Sequence, residues 1–121
     1  MAILVAVDDL LFSSKIRATA KHVGVEVLFA RTPDEILTQA RAIKPTLAIF
    51  DLNSGKSNPL TTIAALKADP AISAIRTIGF ASHVHTDLIA AARQAGADEV
   101  LPRSAFAGRL ADILAAGAQT S

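Results

Sequence analysis

Three carboxylates stand where apolar runs end. Asp8 and Asp9 close the run Ile3 to Val7, and Asp51 closes the run Thr46 to Phe50. In an open parallel sheet, ligands bind beyond the carboxyl ends of the strands, at the point where strand order reverses. Carboxylates brought together there repel and raise each other's pKa unless a cation joins them. A hard, oxygen-seeking ion such as Mg²⁺ answers that repulsion with a few carboxylates, water and a phosphate oxygen. Asn53, two residues beyond Asp51, can add its backbone carbonyl. A carboxylate in such a setting can also attack phosphorus and form an aspartyl-phosphate. One acid at a strand end is most simply a solvated turn residue; three at these positions point to chemistry.

The elements that must position them follow a regular alternation. Ile3 to Val7 is continuously apolar, as a strand covered on both faces should be, and Phe12, Ile16, Ala20 and Val23 then recur at helical spacing up to Gly24. Val25 to Ala30 reads as a second strand. Thr32-Pro33-Asp34-Glu35 is a capping box with proline at the first helical position, opening a helix that runs through Ile36, Ala40 and Ile43 to Pro45. Thr46 to Phe50 is the third strand, and Asn58-Pro59 opens a helix through Ile63 and Leu66 to Asp69-Pro70. Thr77 to Phe80 is the fourth strand. An alanine-rich helix from Asp87 to Ala95 follows, with Gly96 as its cap. Glu99 to Pro102 is a short fifth strand, and Phe106, Leu110, Ile113 and Leu114 mark one last helix that stops at Gly117. Five such alternations predict an α/β fold: a flavodoxin-like, doubly wound, five-stranded parallel sheet of order 2-1-3-4-5, in three α/β/α layers. That order puts Asp8, Asp9 and Asp51 in one crevice, between the first and third strands.

Composition excludes several alternatives. The 121 residues contain no cysteine, so a disulfide scaffold, a cysteine zinc site and a thiol nucleophile are ruled out. Twelve basic and eleven acidic residues give a net charge of +1, and the five aromatics are all Phe. No net field or base-stacking surface favours nucleic acid or an anionic membrane. The longest apolar stretch, Met1 to Val7, is far shorter than the ~18–20 residues of a membrane span, and it lacks the basic start of a signal peptide. A cytoplasmic location is expected.

Taken together, Val7-Asp8-Asp9, Phe50-Asp51-Leu52-Asn53 and Ala95-Gly96-Ala97-Asp98 resemble the receiver domain of two-component response regulators, CheY-like modules of phosphorelay signal transduction. The resemblance covers essentially the whole chain, read as a single receiver-like domain, residues 1–121. It implies that Asp51 accepts a phosphoryl group from a histidine kinase, a phosphotransfer protein or a small phosphodonor. It also implies that Asp8 and Asp9, with Asp51 and the Asn53 carbonyl, hold Mg²⁺. No enzymatic activity is implied beyond the receiver's own phosphoryl transfer and dephosphorylation. With no effector domain in the sequence, output by contact with a downstream protein is expected, along with homodimerisation through the face formed by the fourth helix, fifth strand and fifth helix.

The chain departs from the family at the readout positions. Counting back from Gly96, the switch Ser/Thr falls on Ala81, and Ser82 comes one residue later, on the other face of a strand. Arg103 occupies the slot of the family's lysine, keeping the charge but with a planar, bidentate head. Ser104 replaces the following proline, and Val100 takes the slot of the rotating aromatic. Ser54-Gly55-Lys56-Ser57 lacks the usual Met-Pro pair; its Gly-Lys-Ser is a fragment of a P-loop without the first glycine, and reads as a polar loop with Lys56 at the crevice rim. An intact acid pocket with altered readout leaves a second expectation, a phosphorylation-independent pseudo-receiver acting as an interaction module. A third, a Mg²⁺-dependent phosphohydrolase, needs a nucleophile on the first strand and a cap domain for which there is no room. Among weaker signals, His83 and His85 with Asp87 could bind a transition metal but read more simply as solvated loop residues, with His83 also two positions beyond the switch slot. His22 suits a helix end. Ala90, Ala91, Ala92 and Ala95 give the fourth helix a small-residue face, open to tight packing or to a partner.

Overall fold

The structure, a computed structural model, describes residues 2–82 and 86–118. His83 and His85 lie outside the described residues, and the metal reading placed on them with Asp87 goes no further.

The five apolar runs become strands β1 (Ala2–Ala6), β2 (Glu26–Phe29), β3 (Leu47–Asp51), β4 (Arg76–Ala81) and β5 (Glu99–Pro102), all parallel and ordered β2-β1-β3-β4-β5. Every residue of β1 and β3 is buried, because helices cover both faces of these central strands. The helices are α1 (Leu10–Val23), α2 (Pro33–Ile43), α3 (Pro59–Ala68), α4 (Thr86–Ala95), α5 (Arg103–Gly108) and α6 (Leu110–Ala118). Ile3, Val5, Ile49, Ile78 and Phe80 point toward α1, α5 and α6, where Ile16, Phe106 and Leu114 complete one core layer. Leu4, Ala6, Ala48 and Phe50 point the other way, onto Ile36, Ile63, Leu66 and Ala92 of α2, α3 and α4. This is the predicted doubly wound architecture.

Local chemistry fixes the element ends. Gly24 closes α1 at φ 77°, and the Val25 N–H is spent on the Ala20 carbonyl, so β2 starts at Glu26 rather than at Val25. At α2 the Thr32 hydroxyl accepts from the Glu35 N–H at 3.2 Å, while the Glu35 carboxylate reaches back to the Arg31 N–H. Two expectations need correction. The last helix is two, since the chain bends at Arg109 (φ −107°, ψ 10°), whose N–H is shared between the Ala105 and Phe106 carbonyls. Gly117 does not stop it: it lies inside α6, and a Cβ there would fall 2.9 Å from Ile3 Cδ1. The glycine is needed for close approach to β1 and β3, and its carbonyl accepts the Thr46 hydroxyl at 2.7 Å.

Gly96 has two constraints. Its φ of 114° is open to glycine almost alone, and a Cβ would lie 2.9 Å from Lys67 Cγ. Lys67 cannot readily give way, because its ammonium binds the Ser73 and Ile75 carbonyls and the Asp98 carboxylate. Asp98 in turn accepts from the Thr77 N–H and hydroxyl, holding the start of β4 beside the turn into β5. Gly96→Ala is expected to destabilise the fold by about 2 kcal/mol, read as a lower urea midpoint with an unchanged m-value.

Candidate functional site

Strand order reverses between β1 and β3, so their carboxyl ends frame the crevice. Asp51 is the last residue of β3, with 4% of its surface exposed. Its Oδ1 accepts the Asn53 N–H at 2.9 Å, and its Oδ2 faces Arg103 Nη2 at 3.4 Å. Asp9 has a task the sequence reading did not assign: it is the N-cap of α1, its Oδ1 accepting the N–H groups of Leu11 and Phe12 at 2.9 and 3.1 Å. An aspartate directly before a helical apolar pattern is the usual sign of that role. The second Asp9 oxygen lies 3.7 Å from Arg103 Nη1. Asp8 is held from the other side by the Ser54 hydroxyl, which donates to its Oδ2 at 2.6 Å. Ser54 is buried in the β3–α3 loop, whereas Gly55 and Lys56 are exposed.

Arg103, the first residue of α5, spans Asp9 and Asp51 with the two arms of its guanidinium. Contacts of 3.4 and 3.7 Å are ion pairs, longer than tight charge-assisted hydrogen bonds. The guanidinium carbon also lies over aromatic rings, 5.4 Å from the centroid of Phe12 and 5.7 Å from that of Phe80. Phe106 completes the platform, stacked on Phe80 at 4.5 Å and edge-on to Phe12 at 5.7 Å. No local sequence pattern announces this platform, because α1, β4 and α5 each supply one ring.

The two switch slots part as alternation requires. Ala81 is fully buried with Val100 on the α4 side of the sheet. Ser82 lies with Arg103, Phe12, Ser104 and Ala107 around a cavity on the other side, the side of Asp51. Its N–H donates to the Asn53 side-chain oxygen at 3.3 Å, tying the loops after β3 and β4. Ser104 follows Arg103 through a trans peptide bond. In α4, Ala92 is buried, Ala95 packs against the core, and Ala90 is exposed.

The donor set is made of hard oxygens, which suits a small divalent cation. As the side chains stand, no group of three acids or histidines among the described residues is gathered closely enough to hold an ion; the guanidinium takes up Asp9 and Asp51 instead. The unrelieved charge is visible at Asp51. Burial pushes its carboxyl above the ordinary 3.8; the Asn53 N–H and Arg103 oppose that, and the charges of Asp8 and Asp9 add to it. A carboxyl raised by folding binds its proton more tightly in the native state, so stability is full below pH 3.8 and is lost as pH rises through the folded value. Asp51→Asn, which keeps an acceptor for the Asn53 N–H, is expected to raise Tm at about pH 7, with the gain over wild type vanishing near pH 3 in a thermal-unfolding series.

No protein-family model and no curated protein matches the sequence. Solved structures do match. A response regulator from Hahella chejuensis superposes with a TM-score of 0.86 at 21% identity, over 98% of this chain and 96% of that one. The receiver domain of NtrX from Brucella abortus gives 0.80 at 18% identity, over the whole of both chains. The chemotaxis response regulator CheY4 of Vibrio cholerae gives 0.81 at 16% identity, over 96% and 97%. In strand order, helix placement and extent, this chain has the CheY-like receiver fold of the response regulators.

Proposed function

We propose that this chain is a receiver module of two-component, phosphorelay signalling, phosphorylated on Asp51 and signalling by protein–protein contact. The observation that carries the reading is a buried carboxylate at the switch point of a receiver fold, pressed by the charge of Asp8 and Asp9 and met on one oxygen by Arg103. The Asn53 N–H anchors Oδ1, which leaves Oδ2, on the Arg103 side, as the nucleophile. Its attack forms an oxygen–phosphorus bond. The bond from phosphorus to the donor, a phosphohistidine nitrogen or the acetate oxygen of acetyl phosphate, breaks with its electron pair leaving on the donor. Arg103 offsets the charge that builds on the transferred group. Water attack on phosphorus breaks the oxygen–phosphorus bond to Asp51, releasing inorganic phosphate and returning the carboxylate. Asp8, Asp9, Asp51 and the Asn53 carbonyl would hold Mg²⁺, which when bound supplies positive charge to the crowded carboxylates and the phosphoryl oxygens.

The donor is a histidine kinase or a phosphotransfer protein, and the receiver of the signal is a downstream protein. Homodimerisation would use α4, β5 and the final helical segment, α5 with α6. No helix among the described residues is long and apolar enough to cross a membrane, which accords with a cytoplasmic module.

One observation favours a second reading, a phosphorylation-independent pseudo-receiver. Ala81 and Val100 carry no hydrogen-bonding group, and Arg103 already answers the charge of two acids. Intact-mass measurement after incubation with Mg²⁺ and acetyl phosphate separates the two. The first reading expects one added phosphoryl mass, none in Asp51→Asn, and a rate lowered about tenfold or more in Arg103→Ala. An unmodified wild type would leave the second.

A further inference from the structure

We infer that a phosphoryl group on Asp51 is read through Arg103 into the aromatic face built by α1 and α5, and not through the opposite face of the sheet into α4. The inference rests on Asp51 as the phosphoacceptor.

Among the described residues, the apolar layer packed on the α4 side of β4 and β5 has no side-chain hydrogen-bond donor to offer a new phosphoryl group. Ala81, Val100, Leu52 and Ala92 pack there with at most 5% of any of them exposed. Gly79 closes the layer further: a Cβ at that position would lie 3.1 Å from the Leu52 methyls. A close-packed aliphatic wall of this kind has no polar group for the phosphoryl oxygens to pull.

The other face has such a group. Arg103 reaches Asp51 and Asp9 only at 3.4 and 3.7 Å, so its guanidinium is not locked by short bonds. A phosphoryl group on Asp51 replaces one carboxylate charge with about two and adds three acceptor oxygens, drawing the guanidinium into bonds of about 2.8 Å. A cavity of about 340 Å³ lined by Phe12, Ser82, Arg103, Ser104 and Ala107 gives it room to move. As it leaves the rings of Phe12 and Phe80, its cation–π contacts with them are lost, and Phe12 repacks against Phe106. Phe12 belongs to the first turn of α1, where Leu10 and Leu11 are 72% and 85% exposed. Arg103 itself begins α5. Displacing it moves the first turn of α5 directly and the head of α1 through one ring.

The test uses the full ¹⁵N-labelled chain with Mg²⁺ and beryllium fluoride, a phosphoryl mimic that binds carboxylate oxygen. A bound ¹⁹F resonance, absent in Asp51→Asn, reports occupancy separately from the response. With the mimic bound, amide shifts are expected to concentrate at Phe12, Ser82, Ser104 and Ala107 and to be small at Leu88, Ile89 and Ala92. Phe12→Leu keeps apolar volume and is expected to retain the ¹⁹F signal while the α5 shifts fall by about half or more. Shifts confined to α4, or an α5 response unchanged in Phe12→Leu, would overturn the inference. A missing ¹⁹F signal in wild type would instead overturn Asp51 as the acceptor and take the inference with it. Should Phe12→Leu fold poorly, the wild-type shift map alone still decides between the two faces.

Discussion

Burying the Asp51 carboxylate is the constraint on which the site depends. A parallel sheet covered on both faces gives its central strands no water, so an acid at the end of β3 must find its charge partners within the protein. The structure supplies a backbone N–H to one oxygen and a guanidinium to the other. That compensation is incomplete, since the carboxyl still titrates above its ordinary range. The residual cost is what makes the position chemically responsive: any group that spreads or neutralises the charge there is favoured by the same burial that disfavours the bare carboxylate.

The neighbouring acids are shared between fold and site. Asp9 caps α1 with one oxygen and faces Arg103 with the other. Asp8 holds the β3–α3 loop through Ser54. Each carboxylate is therefore oriented by an element the fold needs anyway, and the crevice inherits its geometry from a helix start and a loop anchor. The same economy fixes β4, where the Lys67–Asp98–Thr77 network and the bare backbone of Gly96 set the turn that leads into β5 and Arg103.

The strands, their order and the place of Asp8, Asp9 and Asp51 at the carboxyl ends of β1 and β3 were legible because burial on both faces leaves an unbroken apolar run that an acid then closes. The capping role of Asp9 was legible too, from an acid directly before a helical pattern. The break at Arg109 was not, since Leu110, Ile113 and Leu114 continue a helical period across it. Gly117 misled for a related reason: as a sequence signal it marks a helix end, whereas here it admits Ile3 and Leu47 to the helix backbone. The aromatic platform under Arg103 lay beyond reach, because it is assembled from three elements far apart in the chain.

Arginine in place of lysine changes what the surrounding residues must do. A lysine ammonium is a point charge that approaches a carboxylate from many directions, whereas a guanidinium is a plane that has to be held edge-on to its acceptors. Here the ring centroids of Phe12 and Phe80 lie 5.4 and 5.7 Å from the guanidinium carbon, and the two arms of the guanidinium address Asp9 and Asp51 at once. The substitution thus couples the charge of the crevice to the packing of α1 and α5. On the far side of β4, Ala81 and Val100 are buried aliphatic residues with no polar or aromatic group to feel that charge. Both features favour the same outcome: a change of charge at Asp51 would act on the Arg103 side of the sheet, where a polar group is in reach, before the α4 side, where the layer is aliphatic.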